Sequence, residues 1–167
     1  YDALGTRDPY AEQKRQANEA ALKVLPRARE LYQSSDPGER LRTATLLSIV
    51  GNVLDFGISG ALEGPGNLEE AFEGLVAQGL GRDDTGPMAD LLVPGARVAY
   101  LTDNCGEIVL DQILLQELGE RGCLVDLVVK GDPILTDATR EDAEQLGLGD
   151  VVHRVLDTGP MAVGGGL

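Results

Sequence analysis

The chain has 167 residues, about the size of one domain, and 43% of them are hydrophobic, which is enough to bury a substantial core. Its formal net charge is −14, so repulsion from phosphate backbones excludes nucleic acid as an expected partner. No apolar run is long enough to cross a membrane, and we expect no membrane association. The two cysteines form neither a zinc nor a disulfide pattern, which favours a reduced, cytoplasmic compartment.

A long helical pattern opens the chain. Asp8-Pro9-Tyr10 is typical of a helix start, with a capping residue followed by proline at the first helical position. Alanine, valine and leucine then recur at helical spacing over residues 17–31. Because Pro26 lacks an N–H and clashes with the preceding turn, we expect a kink or a break near Val24.

Three further helices are predicted before the composition changes. Asp36-Pro37-Gly38-Glu39 resembles a capping box and predicts a helix from this point, and Asn67-Leu68-Glu69-Glu70 repeats the signal. Residues 87–92 predict a short helical piece. We therefore predict a helical N-terminal subdomain over residues 1–93.

After residue 93 the pattern alternates between strands and helices. The predicted order is strand 97–102, helix 106–121, strand 124–129, helix 140–146 and strand 151–155. Such an alternation implies parallel strands in an open sheet. The predicted fold class is α/β, with the helical region followed by a partial Rossmann-like α/β/α parallel sheet over residues 94–167. Because the chain begins at Tyr1 and stops in a glycine run, we expect an internal fragment that lacks sequence at both ends, and a sheet truncated at its C-terminus.

Polar residues follow the first predicted strand, at the sheet edge where ligands bind in such folds. Asp103 and Asn104 are hard oxygen donors suited to Mg²⁺ or Mn²⁺. Gly106 permits a tight turn into the next helix, whose N-terminus offers N–H groups to a phosphate. The alternative is that Asp103 and Asn104 cap that helix. A free cysteine such as Cys105 is more often a packing residue than a nucleophile.

The loop after the second strand holds the equivalent position one unit later. Asp137 follows Asp103 by 34 residues, which is close to the ~30 or more residues of one β-α-β unit. We therefore expect both carboxylates at one edge of the sheet, where they can share a metal. Lys130 is the expected cation for a phosphate oxygen. The alternatives are that Asp137 or Thr139 caps the following helix, with Asp142 three positions after Thr139, and that Lys130 is a solvated residue at the end of the strand.

Five blocks of sequence together resemble a known family. They are Asp8-Pro9-Tyr10 with Lys14 and Asn18, Gly51 to Gly57, Asp103 to Glu107, Lys130 to Ile134, and Asp137 to Thr139. In this order they resemble the DUF89 family, the ARMT1-like damage-control phosphatases, and most closely its archaeal-type branch. The resemblance covers most of the chain.

The resemblance implies a metal-dependent phosphatase that hydrolyses small phosphorylated metabolites such as sugar phosphates. It implies that Asp103, Asn104 and Asp137 are the catalytic and metal-binding residues, with Mg²⁺ or Mn²⁺ as the metal and Ni²⁺ or Co²⁺ as alternatives. It also implies that Asn52 and Asp55 lie near the pocket, although their sequence context alone favours helix-end capping and turn formation. The expected substrate-binding residues are then Lys130, Gly106, Asn52 and Asp55.

The chain departs from the family at two places. The family has asparagine just before the later aspartate, where this chain has Thr136. The chain also stops before the family's Lys-Gly-x-x-Asn block, which completes the phosphate pocket. Asp157-Thr158-Gly159 is either the start of the next active-site loop or a flexible end.

Two other classes of function stay open at this point. A methyltransferase that uses S-adenosylmethionine needs a glycine-rich first loop and an acidic residue after the second strand. In this chain the first loop has a single glycine, Gly106, and the second strand is followed by Lys130. A non-enzymatic binding domain predicts that removing Asp103 or Asp137 changes stability alone. Within the phosphatase interpretation, Asp103 could itself accept the phosphoryl group. We favour attack by water, because an Asp-Asn pair differs from the Asp-x-Asp-x-Thr arrangement of the haloacid-dehalogenase class.

Overall fold

A computed structural model of the chain describes residues 7–54 and 65–159, with residues 65–67 described by their backbone alone. The assigned helices and strands are, in chain order, α1 (Ala11–Ser34), α2 (Arg40–Val53), α3 (Pro65–Gln78), α4 (Thr85–Leu91), β1 (Arg97–Leu101), α5 (Glu107–Glu120), β2 (Leu124–Val129), α6 (Arg140–Gln145) and β3 (Arg154–Asp157). A 3-10 turn at Leu148–Asp150 lies between α6 and β3. This order confirms the α/β prediction. No helix in the described ranges is long and apolar enough to span a membrane.

The three strands form one parallel sheet in the order β1-β2-β3. Tyr100 of β1 lies beside Leu127 of β2, and Leu127 in turn lies beside Val155 of β3. The parallel arrangement was predicted from the alternation of strands and helices, and it is confirmed. Because parallel strands end at the same edge, the loops that follow β1 and β2 emerge side by side.

Several boundaries differ from the prediction by a few residues. The helix α1 begins at Ala11 rather than Pro9, because Asp8 instead closes the preceding turn by accepting the Tyr10 N–H at 2.9 Å. The predicted capping box before α2 forms no side-chain cap, and α3 begins at Pro65, two residues before the expected start. The strand β3 covers 154–157 rather than 151–155, since the preceding residues belong to a turn.

Of the kink or break expected near Val24, the break was wrong, because α1 continues through Pro26 to Ser34. Pro26 lies on the exposed side of the helix, whereas Val24 and Ala28 are 1% and 0% exposed on the buried side. Packing of this buried face holds the helix together across the missing hydrogen bond.

One hydrophobic cluster joins the helical region to the sheet. It contains Leu25 of α1, Leu47 of α2 and Leu115 of α5, together with Leu127 of β2. The helices α2 and α5 come close at Gly51, where a Cβ atom would lie 3.2 Å from a side-chain carbon of α5 and 3.3 Å from its backbone. The two predicted subdomains therefore share a core, and α2 ends beside the loop that follows β1.

Candidate functional site

Backbone hydrogen bonds join the loop after β1 to the loop after β2. Asn104 and Asp137 form an isolated antiparallel bridge. On either side of it, the Cys105 N–H donates to the carbonyl of Thr136 and the Ala138 N–H donates to the carbonyl of Asp103, both at 2.8 Å. The structure therefore brings Asp103, Asn104 and Asp137 to one edge of the sheet. Their roles in metal binding and catalysis stay predictions.

Asn52 connects the helical region to the first of these loops. It lies in the last turn of α2, and its Nδ2 donates to Glu107 Oε2 at 2.8 Å and to Asp103 Oδ2 at 3.5 Å. Asp55, the other residue predicted on this side, lies outside the described residues.

Glu107 belongs to the same corner of the site, although it was not among the predicted site residues. Its Oε2 also accepts the Asn104 N–H at 3.4 Å. Burial raises the pKa of Glu107, and the negative charge of Asp103 adds to the rise, while the hydrogen bonds from Asn52 and Asn104 oppose it. The sequence signal for Glu107 was its position at the end of the Asp103 to Glu107 block that resembles the family.

Lys130 and Thr136 contact the proposed metal ligands. The Lys130 ammonium lies 3.3 Å from Asp137 Oδ2, and both side chains are partly buried. Lys130 therefore differs from the fully solvated lysine of the alternative interpretation. The Thr136 hydroxyl donates to Asn104 Oδ1 at 3.2 Å. Threonine thus orients the neighbouring carboxamide at the position where the family has asparagine.

The capping alternative has different outcomes in the two loops. In the described part of the chain, no side-chain hydrogen bond caps α5, so Asp103 and Asn104 do not serve as its caps. The cap position is Gly106, whose φ of 89° favours glycine. Before α6, by contrast, Thr139 and Asp142 form the capping box that the sequence left open.

Gly106 and Cys105 lie on the buried side of the first loop. The Gly106 N–H donates to Asn18 Oδ1 at 2.7 Å, so this N–H bonds to α1 instead of facing a phosphate. Burial raises the pKa of the Cys105 thiol, and the charge of Asp142 raises it further. The thiol is therefore held protonated, which disfavours a nucleophilic role for Cys105.

A buried carboxyl group lies one helical turn beyond Glu107. Asp111 is 0% exposed, and its Oδ1 accepts the hydroxyls of Ser48 and Tyr100, each at 2.7 Å. Its Oδ2 has no hydrogen-bond partner among the described residues. Burial raises the pKa of Asp111 to about 7, and the charges of Glu107 and Asp103 raise it in the same direction.

The donor set of the site suits a hard cation. Within the described ranges, no group of three or more His, Cys, Asp or Glu residues forms a metal cluster. The site instead offers the carboxylates of Asp103 and Asp137 with the amide oxygen of Asn104. Mg²⁺ is commonly held by one or two carboxylates together with waters and substrate phosphates, and Mn²⁺ favours similar oxygen donors. These residues therefore fit a Mg²⁺ or Mn²⁺ site completed by water and substrate.

Comparison with known proteins identifies the family. A model of the damage-control phosphatase ARMT1-like domain matches residues 1–164. The chain belongs to this family. This match confirms the resemblance that the five sequence blocks indicated.

Two archaeal relatives and a crystal structure agree with the family match. The domain is 39% identical to a damage-control phosphatase of Archaeoglobus fulgidus, over 98% of this chain and 56% of the relative. It is 32% identical to a damage-control phosphatase of Pyrococcus horikoshii, over 98% and 54%. The crystal structure of a DUF89 family protein from P. horikoshii matches with a TM-score of 0.79 and 32% identity, over 95% of this chain and 53% of that one. The chain spans about half the length of the curated relatives it matches.

Proposed function

We propose that the protein is a metal-dependent phosphatase that hydrolyses small phosphorylated metabolites, with sugar phosphates as the substrate class. The observation that carries the proposal is the backbone bridge between Asn104 and Asp137, which gathers two carboxylates and an amide oxygen at the carboxyl edge of a parallel sheet. Relatives named damage-control phosphatases support the reaction class.

Asp103, Asn104 and Asp137 are the proposed metal ligands. When bound, Mg²⁺ or Mn²⁺ supplies Lewis-acid polarisation of a phosphoryl oxygen and lowers the pKa of a coordinated water. The Thr136 hydroxyl fixes the Asn104 carboxamide with its oxygen as hydrogen-bond acceptor. Asn52 holds the Asp103 carboxylate from the side of α2.

Lys130 is the proposed phosphate-binding cation. Its ammonium is already at the site through the ion pair with Asp137, and it carries one positive charge where a phosphate would bring at least one negative charge. The acidic protein would otherwise repel such a substrate, since its net charge is −14. Lys130 and a bound metal would together offset this repulsion at the site.

Water is the proposed nucleophile. Asp103 is exposed to solvent, and Asn52 and a metal would both compete for its oxygens. The Asp103-Asn104 pair also differs from the Asp-x-Asp-x-Thr arrangement in which an aspartate accepts the phosphoryl group. The two cysteines are free and buried, which agrees with a reducing compartment, and the cytoplasmic location stays a prediction.

The test is phosphate release by the full-length protein from a panel of hexose and pentose phosphates and from p-nitrophenyl phosphate. We expect release that requires Mg²⁺ or Mn²⁺, stops on addition of EDTA and is lost in Asp103→Asn. The variant Asp126→Asn is the matched control, because Asp126 lies within β2 and contacts none of the site residues. Absence of release in wild type, or equal release by Asp103→Asn, would contradict the proposal.

A further inference from the structure

A buried polar network lies behind the candidate site, on the side away from solvent. Its centre is the Asp142 carboxylate in the first turn of α6, which is 7% exposed. Asp142 Oδ2 accepts from Lys14 Nζ at 2.8 Å and from the N–H and hydroxyl of Thr139 at 2.9 and 2.7 Å. Asp142 Oδ1 accepts from Cys105 Sγ at 3.3 Å and from Asn18 Nδ2 at 3.4 Å.

This one carboxylate therefore touches both loops that carry the proposed metal ligands. Cys105 directly follows Asn104, and Thr139 lies two residues after Asp137. Lys14 and Asn18 come from α1, so the network also fixes the first helix against both loops.

Asn18 adds a second restraint, on the backbone of the first loop. Its Oδ1 accepts the Gly106 N–H at 2.7 Å, while its Nδ2 donates to Asp142. Asn18 and Lys14 are 9% and 5% exposed, and such polar groups are costly to bury unless they are fully bonded. Leucine or alanine would fill the same space in an ordinary helix interface without this cost.

We propose that Asn18 and Asp142 are positioning residues that set the relative placement of the Asp103–Asn104 backbone and Asp137 for metal binding. The role rests on the proposed metal-dependent function. It extends the site to α1 and α6, because Asn18 and Asp142 bond to Gly106, Cys105 and Thr139 in the two loops that carry the proposed ligands. Partners of metal ligands act in this way when they hold the ligands in a fixed orientation.

The test compares Asn18→Ala with Tyr32→Phe. Both changes remove a buried hydrogen bond that α1 makes at an end of α5. Asn18 accepts the N–H of Gly106, which precedes α5, whereas the Tyr32 hydroxyl donates to Glu117 near the other end at 2.7 Å. Mn²⁺ affinity is measured by calorimetry on the full-length protein, at a temperature where circular dichroism shows every variant folded. We expect Asn18→Ala to weaken Mn²⁺ binding about tenfold and Tyr32→Phe to change it less than about twofold.

A second pair of variants tests the Asp142 side of the network without removing its charge. Cys105→Ala removes one of the two donors to Asp142 Oδ1, whereas Cys105→Ser keeps a donor at that position. We expect weaker Mn²⁺ binding in the alanine variant and recovery in the serine variant. Wild-type affinity in Asn18→Ala, or an equal loss in Tyr32→Phe, would overturn the positioning role and leave the proposed function intact. Absence of Mn²⁺ binding in wild type would overturn both.

Discussion

The two ends of the sheet compensate their carboxylates in different ways. Within β2, Asp126 pairs with Arg97 and Arg154 from the neighbouring strands, and hydrogen bonds from both arginines hold its pKa well below the usual range. At the carboxyl edge, Asp137 pairs with Lys130, while Asp103 contacts the neutral amide of Asn52, and no ion pair reaches Asp103 within the described residues. Two arginines balance the charge of Asp126. At the carboxyl edge one lysine lies beside Asp137, so negative charge remains there for a bound cation.

Asp111 is a third kind of carboxyl group, since it is buried and its hydrogen-bond donors among the described residues are neutral hydroxyls. Its substitution gives the largest effect that we expect. A carboxyl group with a raised folded-state pKa binds more protons when folded, so stability falls as pH rises between the unfolded and folded values, here from 3.8 to about 7. Since one pKa unit corresponds to about 1.4 kcal/mol, Asp111→Asn should gain about 2–4 kcal/mol over wild type as pH rises from about 4 to about 7.

Urea unfolding of wild type and Asp111→Asn across this pH range measures the difference. The variant keeps the shape of the side chain and an acceptor for Ser48 and Tyr100. Parallel pH profiles for the two proteins would show that Asp111 is ionised in the folded state over the whole range.

Lys130→Met separates the two roles of the lysine. The variant keeps the aliphatic stem and removes the charge, so we expect KM for a phosphorylated substrate to rise about tenfold, as for loss of a charged hydrogen bond. Mn²⁺ affinity should be unchanged or higher, because the ammonium that neutralises Asp137 is gone. An unchanged KM would reduce Lys130 to a structural partner of Asp137.

Asn52→Ala is expected to have the smallest effect. The exposed carboxamide contacts Asp103 at a long 3.5 Å and Glu107 at 2.8 Å. We expect Mn²⁺ affinity to fall by only about threefold, since a hydrogen bond in solvent is worth on the order of 0.5–1 kcal/mol. Calorimetry measures the Mn²⁺ affinity of Asn52→Ala and, for comparison, of Asn52→Asp, which adds a carboxylate beside Asp103. A loss as large as that of a ligand variant would make Asn52 a ligand itself.

Local patterns predicted most of the fold. The β-prone run at Leu124–Val129 matches β2 in both bounds, because short apolar runs between turn residues are specific signals. Pro26 misled the prediction, since its effect depends on tertiary packing of the opposite helix face, which no local pattern reveals. The bounds of β3 were also wrong, because pairing with β2 decides where the strand begins.

The same distinction explains what was predicted of the site. Asp103 and Asn104 lie in the loop after β1 and Asp137 lies in the loop after β2, so strand order predicted one shared edge, and backbone hydrogen bonds between the loops complete the placement. Asp142 was visible only as a helix cap, and its contacts with Lys14 and Asn18 join residues more than a hundred positions apart. Such long-range polar networks require the packing of α1 against both loops, and sequence spacing does not encode it.

The most direct test of the account is Mn²⁺ binding by calorimetry in the full-length wild type, Asp103→Ala, Asp137→Ala and Asp126→Ala. The account predicts binding in wild type, loss in both edge variants and wild-type affinity in Asp126→Ala, which should instead be less stable because Arg97 and Arg154 lose their partner. Undiminished binding in Asp103→Ala and Asp137→Ala, or no binding in wild type, would contradict a metal site at the carboxyl edge of the sheet.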